Sequence, residues 1–139
     1  MANFVLDSYA VLALLTDDVG ADQVADLLSQ SEHIFWMSVV NLGEVYYIVS
    51  RAQSQEDAES VVSDILHQDN VTIVDATWDR VRTAAQFKAH GRLSYADAFA
   101  CAVASEYDAE VVTGDPEFSG VEGITVHWLP SKGKPPSTD

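Results

Sequence analysis

The sequence predicts an α/β domain of three layers, α/β/α, built around a central, mainly parallel sheet. Three observations carry that expectation. Five short runs rich in β-branched and aromatic residues recur along the chain: "NFVLD" (3–7), "HIFWM" (33–37), "VTIVD" (71–75), "EVVTGD" (110–115) and "ITVHW" (124–128). Helical patterns lie between them, and parallel neighbours need crossovers of that kind. A chain of 139 residues has room for one core.

The elements follow in order. After the first run, Tyr9 to Leu15 reads as a short apolar helix, and Ala21 to Ser29 places Val24, Leu27 and Leu28 at i, i+3, i+4 spacing. Ser38 is the expected N-cap of a helix through about Arg51. Gln55 to His67 repeats the amphipathic pattern with Ala58, Val61, Val62, Ile65 and Leu66. Thr77 to His90 forms the next helix, stopped by Gly91, and Ser94 opens the last. The run at 124–128 is expected as an edge strand. Residues 1–130 then form one domain, and 131–139, within the proline-rich "PSKGKPPSTD", are expected to be a disordered tail.

No stretch approaches the roughly 20 apolar residues that cross a bilayer, and "MANFVLD" has no basic region before an apolar one. The expected address is cytoplasmic, away from the membrane. Cys101 is the only cysteine, which excludes an intrachain disulfide and a multi-cysteine metal site. With 22 acidic residues against 7 Lys and Arg, the net charge of -15 argues against a polyanionic partner. The distribution softens this, because Arg80, Arg82, Lys88 and Arg92 fall in "RVRTAAQFKAHGR", a window without an acid. Scarce lysine among so many acids also fits a protein adapted to high salt.

Ligands of open parallel sheets bind beyond the carboxyl ends of the strands, and Asp7 and Asp115 stand at such ends. Each alone is equally well a helix cap or turn residue. Glu44 is the one acid in the apolar "VVNLGEVYYIVS", where burial would require pairing, protonation or a cation. Ser38, Asn41 and Glu44 make a polar stripe on that helix, and a salt bridge from Glu44 to Arg51 is the structural alternative. Asp97 is the only charge between Arg92 and Glu106, and Ser94-x-x-Asp97 fits a capping box.

Four such acids brought together could not all stay ionised, since two carboxylates about 5 Å apart repel by about 3 kcal/mol at an effective dielectric of 20. Protonation or a divalent cation would resolve this, and an oxygen-only ligand set favours Mg²⁺ or Mn²⁺. That chemistry suits phosphodiester hydrolysis. Arg80, Arg82, Lys88 and Arg92 could then grip a nucleic acid backbone, or simply form a solvated helix face. His33, His67, His90 and His127 show no paired ligand spacing.

The pieces "VLDSYAVLALL", "NLGEVYYIVSR", "LSYADAFACAVA" and "VVTGDPEF", in this order, resemble the PIN-domain ribonucleases, and among them the VapC-type toxins of prokaryotic toxin-antitoxin pairs. The resemblance implies a PIN-like fold and a Mg²⁺- or Mn²⁺-dependent endoribonuclease with Asp7, Glu44, Asp97 and Asp115 as catalytic, metal-holding acids. Thr113 and Ser8 would support them. It further implies a homodimer, an RNA substrate and a cognate antitoxin whose C-terminal segment covers the site, often inserting a basic side chain. Two positions depart from the family pattern. Tyr9 stands where many members carry a second small polar residue, and Glu117 where many carry an aspartate, which makes Glu117 an additional metal-ligand candidate.

Two other readings fit parts of the sequence. A receiver-like signalling domain is also an α/β fold with a Mg²⁺-binding acidic pocket, with Asp75 at the end of the third strand, but it needs an acidic pair after the first strand where Asp7 stands alone. A catalytically inactive PIN-like module that binds RNA or a partner is the other.

Overall fold

The computed structural model describes residues 2–130. Its strands are β1 (Asn3–Leu6), β2 (Ile34–Ser38), β3 (Val71–Val74), β4 (Glu110–Thr113) and β5 (Val126–Trp128), in the order β3-β2-β1-β4-β5. Every neighbouring pair is parallel, β5 included. All five begin or end within two residues of the expected runs, and β5 is an edge strand as expected.

The helices are α1 (Ser8–Leu15), α2 (Ala21–Ser29), α3 (Val39–Ala52), α4 (Gln55–Leu66), α5 (Trp78–His90) and α6 (Tyr95–Tyr107). Five of the six start on a side-chain cap: Asp7, Ser38, Ser54, Thr77 and Ser94 each accept a hydrogen bond from a first-turn amide. Each such cap contributes about 1 kcal/mol and fixes where a helix leaves its strand. Two of the five, Asp7 and Ser38, therefore tie the helix start directly to a strand end.

Alternation along the central strands sorts the core into two sides. Phe4, Leu6, Phe35, Met37 and Val112 pack with residues of α1 to α4, whereas Val5, Val74 and Val111 pack with those of α6. Helix α5 lies against α6, with Ala84 packed on Ala98, Phe99 and Ala102. Ala98, Ala100 and Cys101 are all fully buried, so the small side chains of α6 let its axis approach the sheet closely. Burial pushes the Cys101 thiol up to about 12, and this sulfur stays protonated and unreactive.

The strand order separates this fold from the receiver-like alternative, in which β1 lies between β2 and β3; here β1 lies between β2 and β4. Asp75 is an exposed residue whose carbonyl accepts from Arg80 Nη1 at 3.1 Å. Helix α3 differs from expectation in being only partly covered. Tyr47 is 45% exposed and Glu44 half-buried, because α3 packs on α4 and α6 and leaves one flank to solvent. A short 3₁₀ turn, Pro116–Phe118, was not foreseen. The expected tail, 131–139, lies outside the described residues, among which no helix is long and apolar enough to cross a membrane.

Candidate metal centre

Connections from β1 run outward to β2 and β3, and the chain then returns to place β4 on the other side of β1. This reversal is a switch point, where the loops after two adjacent parallel strands diverge and leave a crevice. The residues that follow those strands are Asp7, after β1, and Gly114-Asp115, after β4.

Asp7 is 1% exposed. Its Oδ1 accepts from the Ala10 amide at 2.9 Å, and its Oδ2 is buried with no hydrogen-bond partner among the described residues. Burial raises its pKa to about 7, with the charges of Asp115 and Glu44 adding to the rise and the Thr113 hydroxyl and Ala10 amide opposing it. A fully buried carboxylate with one oxygen unsatisfied is costly.

Asp97, Asp115 and Glu117 each offer a carboxylate oxygen, and these oxygens lie within 4.8 Å of one another. The Ser94 hydroxyl caps the Asp97 amide at 3.1 Å, so half of the expected capping box is formed. The Asp97 carboxylate completes no box and stands with the other two acids. Its pKa is raised well above the ordinary carboxylate range, first by burial and then by the charges of Asp115 and Asp7. Asp115 caps the 3₁₀ turn, its Oδ1 accepting from the Glu117 amide at 2.9 Å, and this brings Glu117 back over the cluster. The Thr113 hydroxyl, buried at the end of β4, accepts from the Asp115 amide at 3.0 Å. Glu117 thus lies in the tight group, while Asp7 and Glu44 lie beside it.

Glu44 is reached through Ser8, whose hydroxyl donates to Glu44 Oε1. It forms no salt bridge to Arg51 among the described residues; the Arg51 guanidinium lies over the Tyr47 ring, 5.1 Å from its centroid. The other members of the polar stripe are also engaged. Ser38 caps α3, and Asn41, fully buried, donates through Nδ2 to the Ala96 carbonyl at 3.1 Å while its Oδ1 has no partner. Asn41 therefore pins α3 to the first turn of α6 one residue before Asp97. Its place in the stripe was visible in sequence, but not its partner. Tyr9, the departure from the family pattern, packs against Gly114, leaving no room there for a side chain.

The four cations are not equivalent. Arg80 makes a forked pair with Glu106, Nε to Oε1 at 2.8 Å and Nη2 to Oε2 at 2.9 Å. Nη2 also reaches the Tyr107 hydroxyl at 3.4 Å, and Tyr107 stacks on Trp36 at 3.8 Å. Arg82 pairs with Asp79 at 2.6 Å and lies over the Trp78 ring. Lys88 and Arg92 form no ion pair among the described residues.

The donor set fits a hard divalent cation. It is all carboxylate, it includes a buried oxygen without a partner among the described residues, and two of its acids, Asp7 and Asp97, carry raised pKa values that a cation would lower. Asp97, Asp115 and Glu117 could hold such an ion, with Asp7 Oδ2 at its side.

A parallel α/β/α sheet with carboxylates gathered at its switch point defines the class of protein. Residues 4–124 match the family model described as the PIN domain, and the chain belongs to that family. The fold is similar to that of the sarcin-ricin-loop-cleaving toxin VapC20 of Mycobacterium tuberculosis, with 20% identity, 88% of this chain and 98% of that one covered, and a TM-score of 0.73. It is similar as well to a chain of VapBC2 from Rickettsia felis bound to a promoter DNA fragment (15% identity, 91% and 98% covered, TM-score 0.72). A third likeness is to DNA-bound VapBC of Salmonella typhimurium (18% identity, 91% and 97% covered, TM-score 0.69). No curated protein matches the sequence.

Proposed function

We propose that this protein is a Mg²⁺- or Mn²⁺-dependent endoribonuclease and the toxin of a toxin-antitoxin pair. The observation that carries the reading is the meeting of Asp97, Asp115 and Glu117 beside the unpartnered Oδ2 of buried Asp7. The VapC and VapBC proteins that share the fold support the toxin assignment.

When bound, the cation supplies polarisation of the phosphoryl group, a more acidic attacking water and charge for the leaving oxyanion. The chain's own residues prepare the place. Asp7 Oδ1 is spent on capping α1, which leaves Oδ2 as an acceptor with no partner among the described residues. Ser8 steers the Glu44 carboxylate towards the same end of the sheet. Thr113 fixes the backbone of Asp115, and Asn41 fixes the helix turn that bears Asp97. Glu44 would serve as the outer acid that orients a water, a role its half-buried position allows.

The proposed partners are RNA, held by Lys88 and Arg92, with Arg80 and Arg82 contributing less because they are paired already. A cognate antitoxin would supply a basic side chain to the acidic crevice, and a second copy of the chain would complete a homodimer in the cytoplasm. The test compares RNA cleavage by the wild type and Asp97→Asn in Mg²⁺ and in Mn²⁺. Cleavage that EDTA and the substitution both suppress is the expected result. Equal cleavage by the variant would remove Asp97 from the site, and no cleavage of any RNA would favour a binding module.

A further inference from the structure

A cleft of about 890 Å³ opens beside the acids, between the C-terminal half of α5, the loop from α5 to α6, and the loop that follows the 3₁₀ turn. Glu117 and Pro116 line it, so the cleft and the carboxylate cluster share a wall. Leu93, buried, and Phe87, partly buried, supply an apolar interior. Exposed Gln86, Arg92 and Ser119 supply donors and acceptors at the rim. Among the described residues, the side chains of Gln86, Arg92 and Ser119 have no hydrogen-bond or ion-pair partner.

We infer that this cleft is a subsite for one unstacked nucleobase of the substrate strand, next to the phosphate presented to the acids. The inference rests on the proposed ribonuclease reading and adds to it where the neighbouring nucleotide goes. An aromatic face with adaptable polar groups around it is the usual receptor for an unpaired base. The volume falls in the range of small-ligand sites. Arg92, at its mouth, forms no ion pair among the described residues, whereas Arg80 and Arg82 are already engaged. A phosphate alone would not fill an apolar interior, and Glu117 and Glu122 on the wall would repel it. A base carries no charge and meets neither objection.

The experiment uses the full chain with Asp97→Asn, in Mg²⁺, to block cleavage. Hexauridylate, hexacytidylate and hexaadenylate are titrated against a six-unit abasic ribose phosphate while the amides of Phe87, Leu93 and Gly120 are followed by NMR. At least one base-bearing strand should shift these amides, with the abasic strand binding roughly tenfold more weakly, the loss of one stacked base. Gln86→Trp, which fills the cleft from an exposed helix position, should abolish the difference. In the catalytically intact chain, Gln86→Trp should raise KM for single-stranded RNA with little change in kcat.

Equal responses to abasic and base-bearing strands would overturn the inference, as would an unchanged KM in Gln86→Trp while the wild type cleaves. If no strand shifts these amides, the cleft is a surface for protein or for nothing, and the inference fails while cleavage by the wild type would leave the ribonuclease reading intact. Base-dependent shifts in a protein that cleaves no RNA would sink that reading and keep the subsite.

Discussion

The ring of Tyr9 lies so close to Gly114 that a Cβ on Gly114 would stand 2.6 Å from Tyr9 Cε1 and 2.8 Å from its hydroxyl oxygen. Two loops of the crevice are thereby locked together, the one leaving β1 and the one leaving β4. Gly114→Ala should push Tyr9 away and cost about 1–3 kcal/mol, the usual penalty for overpacking. In urea denaturation the double variant Gly114→Ala, Tyr9→Ser should be less destabilised than the two single changes summed. Strict additivity would mean that the ring is free to move aside.

Stability of the metal-free protein should fall as pH rises. Burial pushes the Asp7 carboxyl up to about 7 in the folded chain, against 3.8 for the ordinary group. Folding then takes up a proton between those two values. The contribution is fully present below the lower value and lost as pH rises through the upper one, by roughly 4 kcal/mol for the full displacement. Asp97 acts in the same sense. Asp7→Asn should flatten part of this slope, and saturating Mg²⁺ should do the same in the wild type by stabilising the ionised acids. Urea midpoints measured from pH 4 to pH 8 would show a parallel slope in Asp7→Asn if Asp7 were not responsible.

Substitution of Asn41 should separate site geometry from fold stability. Asn41→Leu removes both the Nδ2 donor to Ala96 and the unpartnered Oδ1, two changes that oppose each other in stability. The folded state should lose no more than about 1 kcal/mol, while Mg²⁺ affinity read by calorimetry falls, because the first turn of α6 is no longer fixed. A variant with wild-type metal affinity would show that Asp97 is held well enough by Ser94 alone.

Arg80 and Arg92 should behave differently towards RNA. Arg80→Ala breaks the fork to Glu106 and should cost about 1 kcal/mol of stability, a partly exposed pair being worth little more. Its binding of RNA should keep the wild-type salt dependence. Arg92→Ala should leave stability unchanged and reduce the salt slope by about one ion. The reverse pattern would place the phosphate contact on Arg80.

The sequence and the structure agree where a signal is local. Each of β1 to β4 is an apolar run closed by Asp, Ser or Gly-Asp, and Ser38, Thr77 and Ser94 announce their helices because capping uses neighbouring atoms. Relationships across the fold were hidden. The "RVRTAAQFKAHGR" window shows no acid, yet Arg80 is neutralised by Glu106 on a different helix, 26 positions away. Glu44 looked buried because its helix is apolar, but burial depends on which flank its neighbours cover. Glu117 was read from the family pattern alone; the Asp115 cap that folds it over the cluster is a three-residue turn with no periodicity to detect.

The parallel pairing of β4 with β1 also sets a schedule. Asp7 precedes Asp97, Asp115 and Glu117 by 90 positions or more, and β4 must dock beside β1 before they meet. A chain synthesised only as far as α5 therefore carries Asp7 and Glu44 and no assembled centre. Whatever the crevice binds, it binds only after β4 and the turn that follows it are in place.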